Sequence, residues 1–260
     1  MKRRSFLKTS SLAAVGAGTF RPAKAEIEDS SGYGITPSLN AYSFNDALLK
    51  DGMSLDSLFQ FVAQTGFRAV DLTAYYIPGY PEVPGDQLLY EINRKAFRTG
   101  ISLSGTGVRN DFTLTDAEAL AREIDHVKQW IVAASKLGAS NIRIFDGKAP
   151  STGNTASATH QQVVDAFREC ARFGARHGVN VAFQNHHDFL IRTEEIIDIV
   201  KKVDSEWFGL MLDTGSVAGP DPYREIEKLI PYAVTWQVKE LVRTEKGTEP
   251  LDVERLIKLL

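Results

Sequence analysis

The chain has 260 residues, of which 43% are hydrophobic and 24% charged, and its 30 basic and 33 acidic side chains give a net charge of −3. This length and composition indicate one large globular domain, and the acidic balance, without any cluster of Lys and Arg, argues against nucleic-acid binding. The single cysteine, Cys170, excludes an intramolecular disulfide and lies in a helix-like stretch, where we expect it to be a core residue.

Residues 1–25 have the pattern of an export signal. Arg3 and Arg4 precede a weakly apolar run over 10–20, and the segment ends in Ala-Lys-Ala, the small-residue pattern of a cleavage site. The arginine pair and the Ser-Phe-Leu-Lys after it resemble the twin-arginine signal, which exports folded proteins; the alternatives are an ordinary secretory signal and a chance basic N-terminus. The apolar run is too short to span a membrane. We therefore expect a periplasmic mature chain without a membrane segment, beginning with a short stretch over 26–35.

From residue 36 to residue 260, short apolar runs of strand length alternate with longer segments of helical spacing. The predicted strands, in chain order, end with the runs 40–42, 69–72, 101–104, 141–145, 181–184, 209–213 and 234–238. Helices are predicted between them, for example over 54–66, 116–138 and 193–203, and several end in glycine.

Serial βα units of this kind form either a doubly wound sheet or a (β/α)8 barrel. Their even spacing and the lack of a glycine-rich phosphate loop favour an α/β fold of the TIM barrel type, and the same lack argues against a nucleotide cofactor. The helix predicted over 251–260 would precede an eighth strand, which the sequence does not reach before Leu260. We therefore predict one barrel domain over 36–260 that is incomplete at its C-terminal end.

Polar residues at the ends of the predicted strands define the candidate site. In a barrel the C-terminal ends of the strands meet at one mouth, where the chemistry of this fold takes place. Alternation along each strand gives Gln184, Asp213 and Gln237 inward-facing positions, so we expect all three to point into this mouth. Asp213 ends the apolar run Gly-Leu-Met-Leu, where a carboxylate is costly unless it is paired or metal-bound.

Two further residues are candidates for catalysis. His186 follows the fifth strand, where a neutral imidazole suits a general base or a contact to a sugar hydroxyl. Lys239 shares the parity of Gln237 and is placed to polarise a carbonyl or hold an enediolate oxygen. The plain alternatives are a loop histidine that satisfies backbone groups and a solvated lysine on the barrel rim.

Other polar residues near the strand ends are expected to contact substrate. For Arg143 and Asp146, which flank the fourth strand, a mutual salt bridge is the alternative. The expected substrate contacts are Asn40, Tyr42, Asp71, Arg143, Asp146, Asn185, His187 and Asp188.

The stretches VAFQNHHD (181–188), GLMLDTGS (209–216) and WQVKE (236–240) carry a family resemblance. They resemble the fifth, sixth and seventh strand ends of the xylose isomerase-like TIM barrels, the sugar phosphate isomerase/epimerase superfamily. The resemblance extends over about residues 36–260.

This resemblance implies a divalent cation, Mg²⁺, Mn²⁺ or Zn²⁺, held at the ends of strands five to eight. The corresponding residues here are Gln184, Asp213 and Gln237, and Gln184 stands where a carboxylate is usual. Ser216 stands where many relatives have a histidine. Since an amide keeps the oxygen ligand but removes a negative charge, we expect weak binding of Mg²⁺ or Mn²⁺ unless an eighth-strand carboxylate or an imidazole contributes.

The resemblance also implies a small carbohydrate substrate and two classes of function. The first is a sugar or keto-sugar isomerase or epimerase, in which a base removes the proton beside a carbonyl and an enediolate forms against the metal or Lys239. A lyase or dehydratase of the same superfamily begins with the same step. The second class is a non-catalytic carbohydrate-binding barrel with a degenerate metal site, as Gln184 and Ser216 suggest.

Overall fold

The computed structural model describes residues 36–149, 156–186 and 188–259. The predicted export signal, the stretch over 26–35 and the candidate residue His187 lie outside the described residues. Within the described ranges, no helix is both long enough and apolar enough to cross a lipid bilayer.

A curled sheet of seven parallel strands forms the centre of the domain. The strands lie side by side in the same order as in the chain, so successive strands pair with each other. They are β1 (Ser38–Asn40), β2 (Ala69–Asp71), β3 (Ser102–Gly107), β4 (Asn141–Ile144), β5 (Asn180–Gln184), β6 (Phe208–Asp213) and β7 (Ala233–Gln237). A separate antiparallel hairpin follows, made of β8 (Leu241–Thr244) and β9 (Gly247–Pro250).

Helices follow the strands along the chain. They are α1 (Asn45–Leu49), α2 (Leu55–Gln64), α3 (Asp86–Thr99), α4 (Ala117–Leu137), α5 (Ala156–His177), α6 (Thr193–Val203), α7 (Pro222–Leu229) and α8 (Val253–Ile257). Short 3-10 turns lie at Ala41–Phe44, Ala74–Tyr76, Thr214–Ser216 and Ile230–Tyr232. The predicted fold class, an α/β TIM barrel without its eighth strand, is confirmed, since within the described residues no further strand joins the parallel sheet.

The ends of α4 show how local sequence sets the element boundaries. The Asp116 side chain accepts a hydrogen bond from the Ala119 N–H at 2.7 Å and so caps the start of the helix. Gly138 follows the last residue with a φ of 74°, a left-handed conformation that glycine adopts without steric cost. This turn directs the chain into β4, which carries part of the site.

The helices and the outward faces of the strands share one apolar core. Trp130, Phe167 and Phe183 are completely or almost completely buried, and the ring centre of Phe167 lies 5.2 Å from that of Phe183 and 5.0 Å from that of Phe208. Burial of a large apolar side chain contributes about 1.5–3 kcal/mol. Cys170 is a free thiol in this core, as the sequence predicts, and burial raises its pKa to about 12.

Candidate active site

The C-terminal ends of the parallel strands surround a cavity of about 440 Å³. Because all seven strands run in the same direction, the residues that follow them meet at this end of the sheet. The cavity is lined by Asn40, Tyr42, Asn45, Thr73, Tyr75, Arg109, Arg143, Phe145, Gln184, His186, Gln237 and Lys239.

A network of amides and one carboxylate joins the ends of β5, β6 and β7. The Nε2 of Gln184 donates to Oδ2 of Asp213 at 2.6 Å and to Oε1 of Gln237 at 2.9 Å. Asp213 lies opposite Gln237 in the register of the two neighbouring strands. The structure thus brings together the three side chains to which strand parity gives inward-facing positions.

Lys239 places a positive charge beside Asp213. The Asp213 side chain is completely buried, and the Lys239 Nζ lies 3.7 Å from its Oδ2. Burial raises the pKa of Asp213 above its ordinary value, while Lys239 and the hydrogen bond from Gln184 act in the opposite direction. The backbone N–H of Lys239 donates to Thr214 Oγ1 at 2.9 Å, which fastens the segment after β7 to the turn after β6.

The family resemblance implies a divalent cation at this network, but the residues present do not fit one. Affinity for a hard divalent cation rises with the charge of its oxygen ligands. The three side chains supply a single carboxylate, toward which Gln184 turns a hydrogen-bond donor. The Lys239 ammonium neutralises the same carboxylate. Within the described ranges, no three His, Cys, Asp or Glu side chains are grouped to hold a metal ion.

His186 and Asp188 form a pair at the side of the cavity. The Nδ1 of His186 lies 3.2 Å from Oδ2 of Asp188, and the imidazole packs edge-on against Phe145 with ring centres 5.1 Å apart. His186 lines the cavity, whereas Asp188 is not one of its lining residues. With Nδ1 held by the carboxylate, Nε2 is the ring nitrogen available to a ligand.

Arg143 reaches the cavity from β4 and stacks on aromatic rings. Its guanidinium carbon lies 4.6 Å from the centre of the Phe145 ring and 5.6 Å from that of Tyr75. The side chain is only 9% exposed. No salt bridge joins Arg143, within β4, to Asp146, which follows this strand, although both are described residues.

Asp146 is buried outside the cavity lining and holds a loop in place. Its Oδ2 accepts hydrogen bonds from the backbone N–H groups of Phe189 at 3.1 Å and Leu190 at 2.5 Å, and its Oδ1 from that of Gly147 at 3.0 Å. Burial raises the pKa of Asp146 to about 7, and the neighbouring Asp188 contributes to the rise. Asp146 therefore fastens the loop after β5, which carries the histidine, to the end of β4.

Asn40 and Tyr42 line the cavity from the end of β1. The Oδ1 of Asn40 accepts a hydrogen bond from the Tyr42 N–H at 2.9 Å and begins the 3-10 turn there. The Tyr42 ring is 52% exposed, and the Lys239 Nζ lies 5.9 Å from its centre. The ring therefore forms part of the open side of the cavity next to the lysine.

Asp71 ends β2 and Asn185 follows β5, and neither residue lines the cavity. Asp71 is half-buried, and burial raises its pKa to about 6 although Arg143 attracts the charged form. Asn185 is 1% exposed, and its side chain both donates to the Asp213 carbonyl at 3.1 Å and accepts from the Asp213 N–H at 2.9 Å. Asn185 thus serves as a clamp between β5 and β6.

Five residues that line the cavity are not predicted from the sequence: Asn45, Thr73, Tyr75, Arg109 and Phe145. Arg109 is missed because β3 continues to Gly107, three residues beyond the Ser104 at which its predicted run ends. With the correct strand end, Arg109 would have been placed at the mouth by the same rule as the other candidates. Tyr75 lies in a 3-10 turn, which has no periodic signal in the sequence.

The profile of the xylose isomerase-like TIM barrel family matches residues 59–255, and the chain belongs to this family. The resemblance carried by the fifth, sixth and seventh strand ends is thereby confirmed. No curated protein matches the chain in sequence.

Solved structures of other proteins share the fold. D-psicose 3-epimerase, crystallised in the presence of D-fructose, is similar over 87% of this chain and 80% of its own, with 18% identity and a TM-score of 0.71. The probable 3-DHS dehydratase AsbF from Bacillus anthracis covers 80% of this chain and 74% of its own, with 19% identity and a TM-score of 0.65.

A third structure is that of a xylose isomerase-like TIM barrel protein from Mycobacterium smegmatis in complex with magnesium. It covers 84% of this chain and 81% of its own, with 16% identity and a TM-score of 0.65. At such identities the similarity shows the fold alone.

Proposed function

We propose that the chain is a keto-sugar isomerase or epimerase that removes and returns a proton beside a carbonyl group. The observation that carries this proposal is that His186, oriented by Asp188, and Lys239 line the same cavity. Proton abstraction next to a carbonyl requires such a base together with a positive group for the developing oxyanion. Membership of the family and the likeness to a sugar epimerase support the proposal.

In the proposed reaction, the Lys239 ammonium donates a hydrogen bond to the carbonyl oxygen of the substrate. The Nε2 of His186 takes the proton from the adjacent carbon. The electrons of the broken C–H bond form a C=C bond, and the carbonyl π electrons move to the oxygen, which gives an enediolate. Return of the proton to the former carbonyl carbon isomerises the sugar when the hydroxyl proton of the first carbon passes to the former carbonyl oxygen, so that the new carbonyl forms on the first carbon. Delivery of a proton from water to the opposite face of the first carbon re-forms the original carbonyl and inverts that centre, and His186 then loses its proton to solvent.

The network around Asp213 keeps the electrophile in place. Asp213 lies beside the Lys239 ammonium, and its carboxylate accepts a hydrogen bond from the Gln184 amide, which is itself held by a second hydrogen bond to Gln237. A well-placed donor to an oxyanion contributes roughly 3–4 kcal/mol to the stability of a transition state. Since these residues do not fit a divalent cation, Lys239 supplies the positive charge in the proposed reaction.

Solvent exchange tests this function directly. Protein dialysed against a chelator is incubated in D₂O with D-fructose, with its 6-phosphate and with a hexuronate that carries a ketone, and deuterium incorporation beside the carbonyl is followed by NMR. We expect incorporation with at least one of these ketoses, and a loss of roughly 100-fold or more in His186→Gln.

The control for this variant is His160→Gln. His160 also pairs with an aspartate, at 3.3 Å from Asp198, but it does not line the cavity. Its substitution should leave the exchange unchanged. Absence of exchange with every ketose would contradict the proposal, as would equal rates in the two histidine variants.

The same measurements separate the alternative functions. A lyase or dehydratase would show the same proton loss followed by loss of a hydroxyl group, so its product would contain a new conjugated C=C bond visible by NMR. A non-catalytic binding barrel would bind a ketose in calorimetry without any incorporation of deuterium.

A further inference from the structure

The charges on the cavity wall are unbalanced. Arg109, Arg143 and Lys239 are positively charged, and no Asp or Glu is among the described residues that line the cavity. Asp213 lies next to the wall and balances the positive charge of Lys239, since its Oδ2 is 3.7 Å from the ammonium nitrogen. Among the described residues, neither arginine has such a carboxylate within ion-pair distance, and their guanidinium carbons lie 5.7 Å (Arg109) and 4.6 Å (Arg143) from the centre of the Phe145 ring.

Arg143 is buried without a hydrogen-bonded acceptor in the part of the chain that the structure describes. Its side chain is 9% exposed, and the contacts of its guanidinium are the rings of Phe145 and Tyr75. Asp71 attracts it through space but forms no ion pair with it. Because burial of a charge without a hydrogen-bonded partner is costly, an arginine in this position indicates a ligand that supplies the missing acceptor.

Gly107 makes room for this arginine. It lies opposite Arg143 in the register of β3 and β4, and a Cβ atom at Gly107 would lie 2.5 Å from the Arg143 Nε. Any other residue would push the guanidinium off its path across the end of β3. The missing side chain at Gly107 therefore leaves the space on β3 that the Arg143 guanidinium occupies, so two neighbouring strands together fix the position of this arginine in the site.

We propose that the substrate carries an anionic group, a carboxylate or a phosphate, which Arg143 binds with Arg109 beside it. The Arg109 guanidinium carbon lies 5.7 Å from the centre of the Phe145 ring, and this exposed arginine lines the same cavity. A guanidinium group holds the oxygens of such an anion through bidentate hydrogen bonds, and a second one in the same cavity adds positive charge. This inference rests on the proposed function for the reaction, and it adds the class of substrate.

Calorimetric binding tests the inference without requiring turnover. D-Fructose, D-fructuronate and D-fructose 6-phosphate are titrated into chelator-dialysed protein at a fixed ionic strength. We expect at least one anionic ketose to bind tenfold or more tightly than D-fructose, with a preference that decreases as salt is added. The tighter of the two anions identifies a carboxylate or a phosphate as the recognised group.

Three variants locate the preference. Arg143→Met should bring the affinities for anionic and neutral ketoses to within about twofold, and Arg143→Lys should retain only part of the preference because it keeps the charge but not the planar fork. Gly107→Ala, which leaves Arg143 in the chain but displaces it, should also lower the preference. The control is Arg176→Met, which removes an exposed arginine stacked at 5.1 Å on Phe173, outside the cavity.

Equal affinity of the wild-type protein for neutral and anionic ketoses would overturn the inference, and this result does not depend on whether any variant folds. A preference that persists in folded Arg143→Met would overturn it as well. Failure of the proposed function is distinguishable, because preferred binding of an anion without deuterium exchange supports the anion site and contradicts the isomerase. Deuterium exchange with D-fructose, together with tight binding of D-fructose and not of the two anions, would support the isomerase and contradict the anion site.

Discussion

At the scale of single residues, Gln184 donates to Asp213 at 2.6 Å, so an exchange of its amide for a carboxylate places two acids side by side. We expect Gln184→Glu to tighten Mn²⁺ binding by tenfold or more, about 1.4 kcal/mol, because the ligand charge increases while the side-chain volume hardly changes. Isothermal titration of chelator-dialysed protein measures the effect. Gln161→Glu adds the same charge on the exposed face of α5 and should not change the affinity.

Unchanged Mn²⁺ affinity in Gln184→Glu would contradict this expectation. It would show that the Lys239 ammonium, 3.7 Å from Asp213, continues to neutralise the site even when a second carboxylate is present. In either case the result concerns the charge of the network, since the substitution leaves the packing around it nearly unaltered.

The carboxyl group of Asp71 makes the stability of the fold depend on pH. Burial raises its pKa from 3.8 to about 6, so the folded protein retains a proton that the unfolded chain has lost between about pH 4 and pH 6. The free energy of unfolding therefore falls as the pH rises through this interval, by at most about 3 kcal/mol. Asp71→Asn should remove this part of the pH dependence.

Urea unfolding of the wild type and of Asp71→Asn at about pH 4.5 and pH 7 measures the difference. Asp51→Asn, a substitution at an exposed position, is the control and should leave the pH dependence as it is. A parallel pH dependence in Asp71→Asn and the wild type would mean that Asp71 is not protonated in the folded protein.

At the scale of the elements, the turn after α4 sets the position of β4 and thus of Arg143. Gly138 has a φ of 74°, and a Cβ atom there would lie 2.5 Å from Nδ2 of Asn93, which donates to the Leu137 carbonyl at 2.6 Å. Gly138→Ala should therefore lower the free energy of unfolding in two ways, by about 1–2 kcal/mol for the left-handed backbone and by a further amount for the displaced asparagine.

Gly178→Ala separates the two costs. Gly178 follows α5 with a φ of 67°, but a Cβ atom there would have no neighbour within 4 Å. Denaturant unfolding should show a larger loss of stability for Gly138→Ala than for Gly178→Ala. Equal losses would mean that Asn93 moves aside without cost.

At the scale of the whole molecule, contacts between distant parts of the chain position Lys239 and the C-terminal segments. Gly215, in the turn after β6, lies so close to the segment after β7 that a Cβ atom on it would lie 2.8 Å from Cγ of Lys239 and 3.0 Å from the Leu241 carbonyl oxygen. The backbone N–H of Asp252, after the β8–β9 hairpin, donates to the Tyr223 hydroxyl at 2.6 Å. The lysine is thus held by contacts between elements that are separate in sequence.

Local pattern in the sequence determines much of this molecule. The alternation of strands and helices identifies all seven parallel strands, and the boundaries of α4 differ from the predicted 116–138 by one residue at each end. Strand parity also gives the inward positions of Gln184 and Asp213. These features follow from the sequence because the alternation of side chains along a strand and the capping of a helix depend on residues that are close in the chain.

Only the tertiary structure decides which of these polar groups act together. Lys239 approaches Asp213 from the segment after β7. The Asn185 side chain is hydrogen-bonded to the backbone of β6, and Asp146 holds a loop instead of facing the cavity. Arg143 reaches the mouth because Gly107, on another strand, leaves it room. Distances between groups on different strands depend on register, twist and packing of the whole sheet, which no local pattern in the sequence contains.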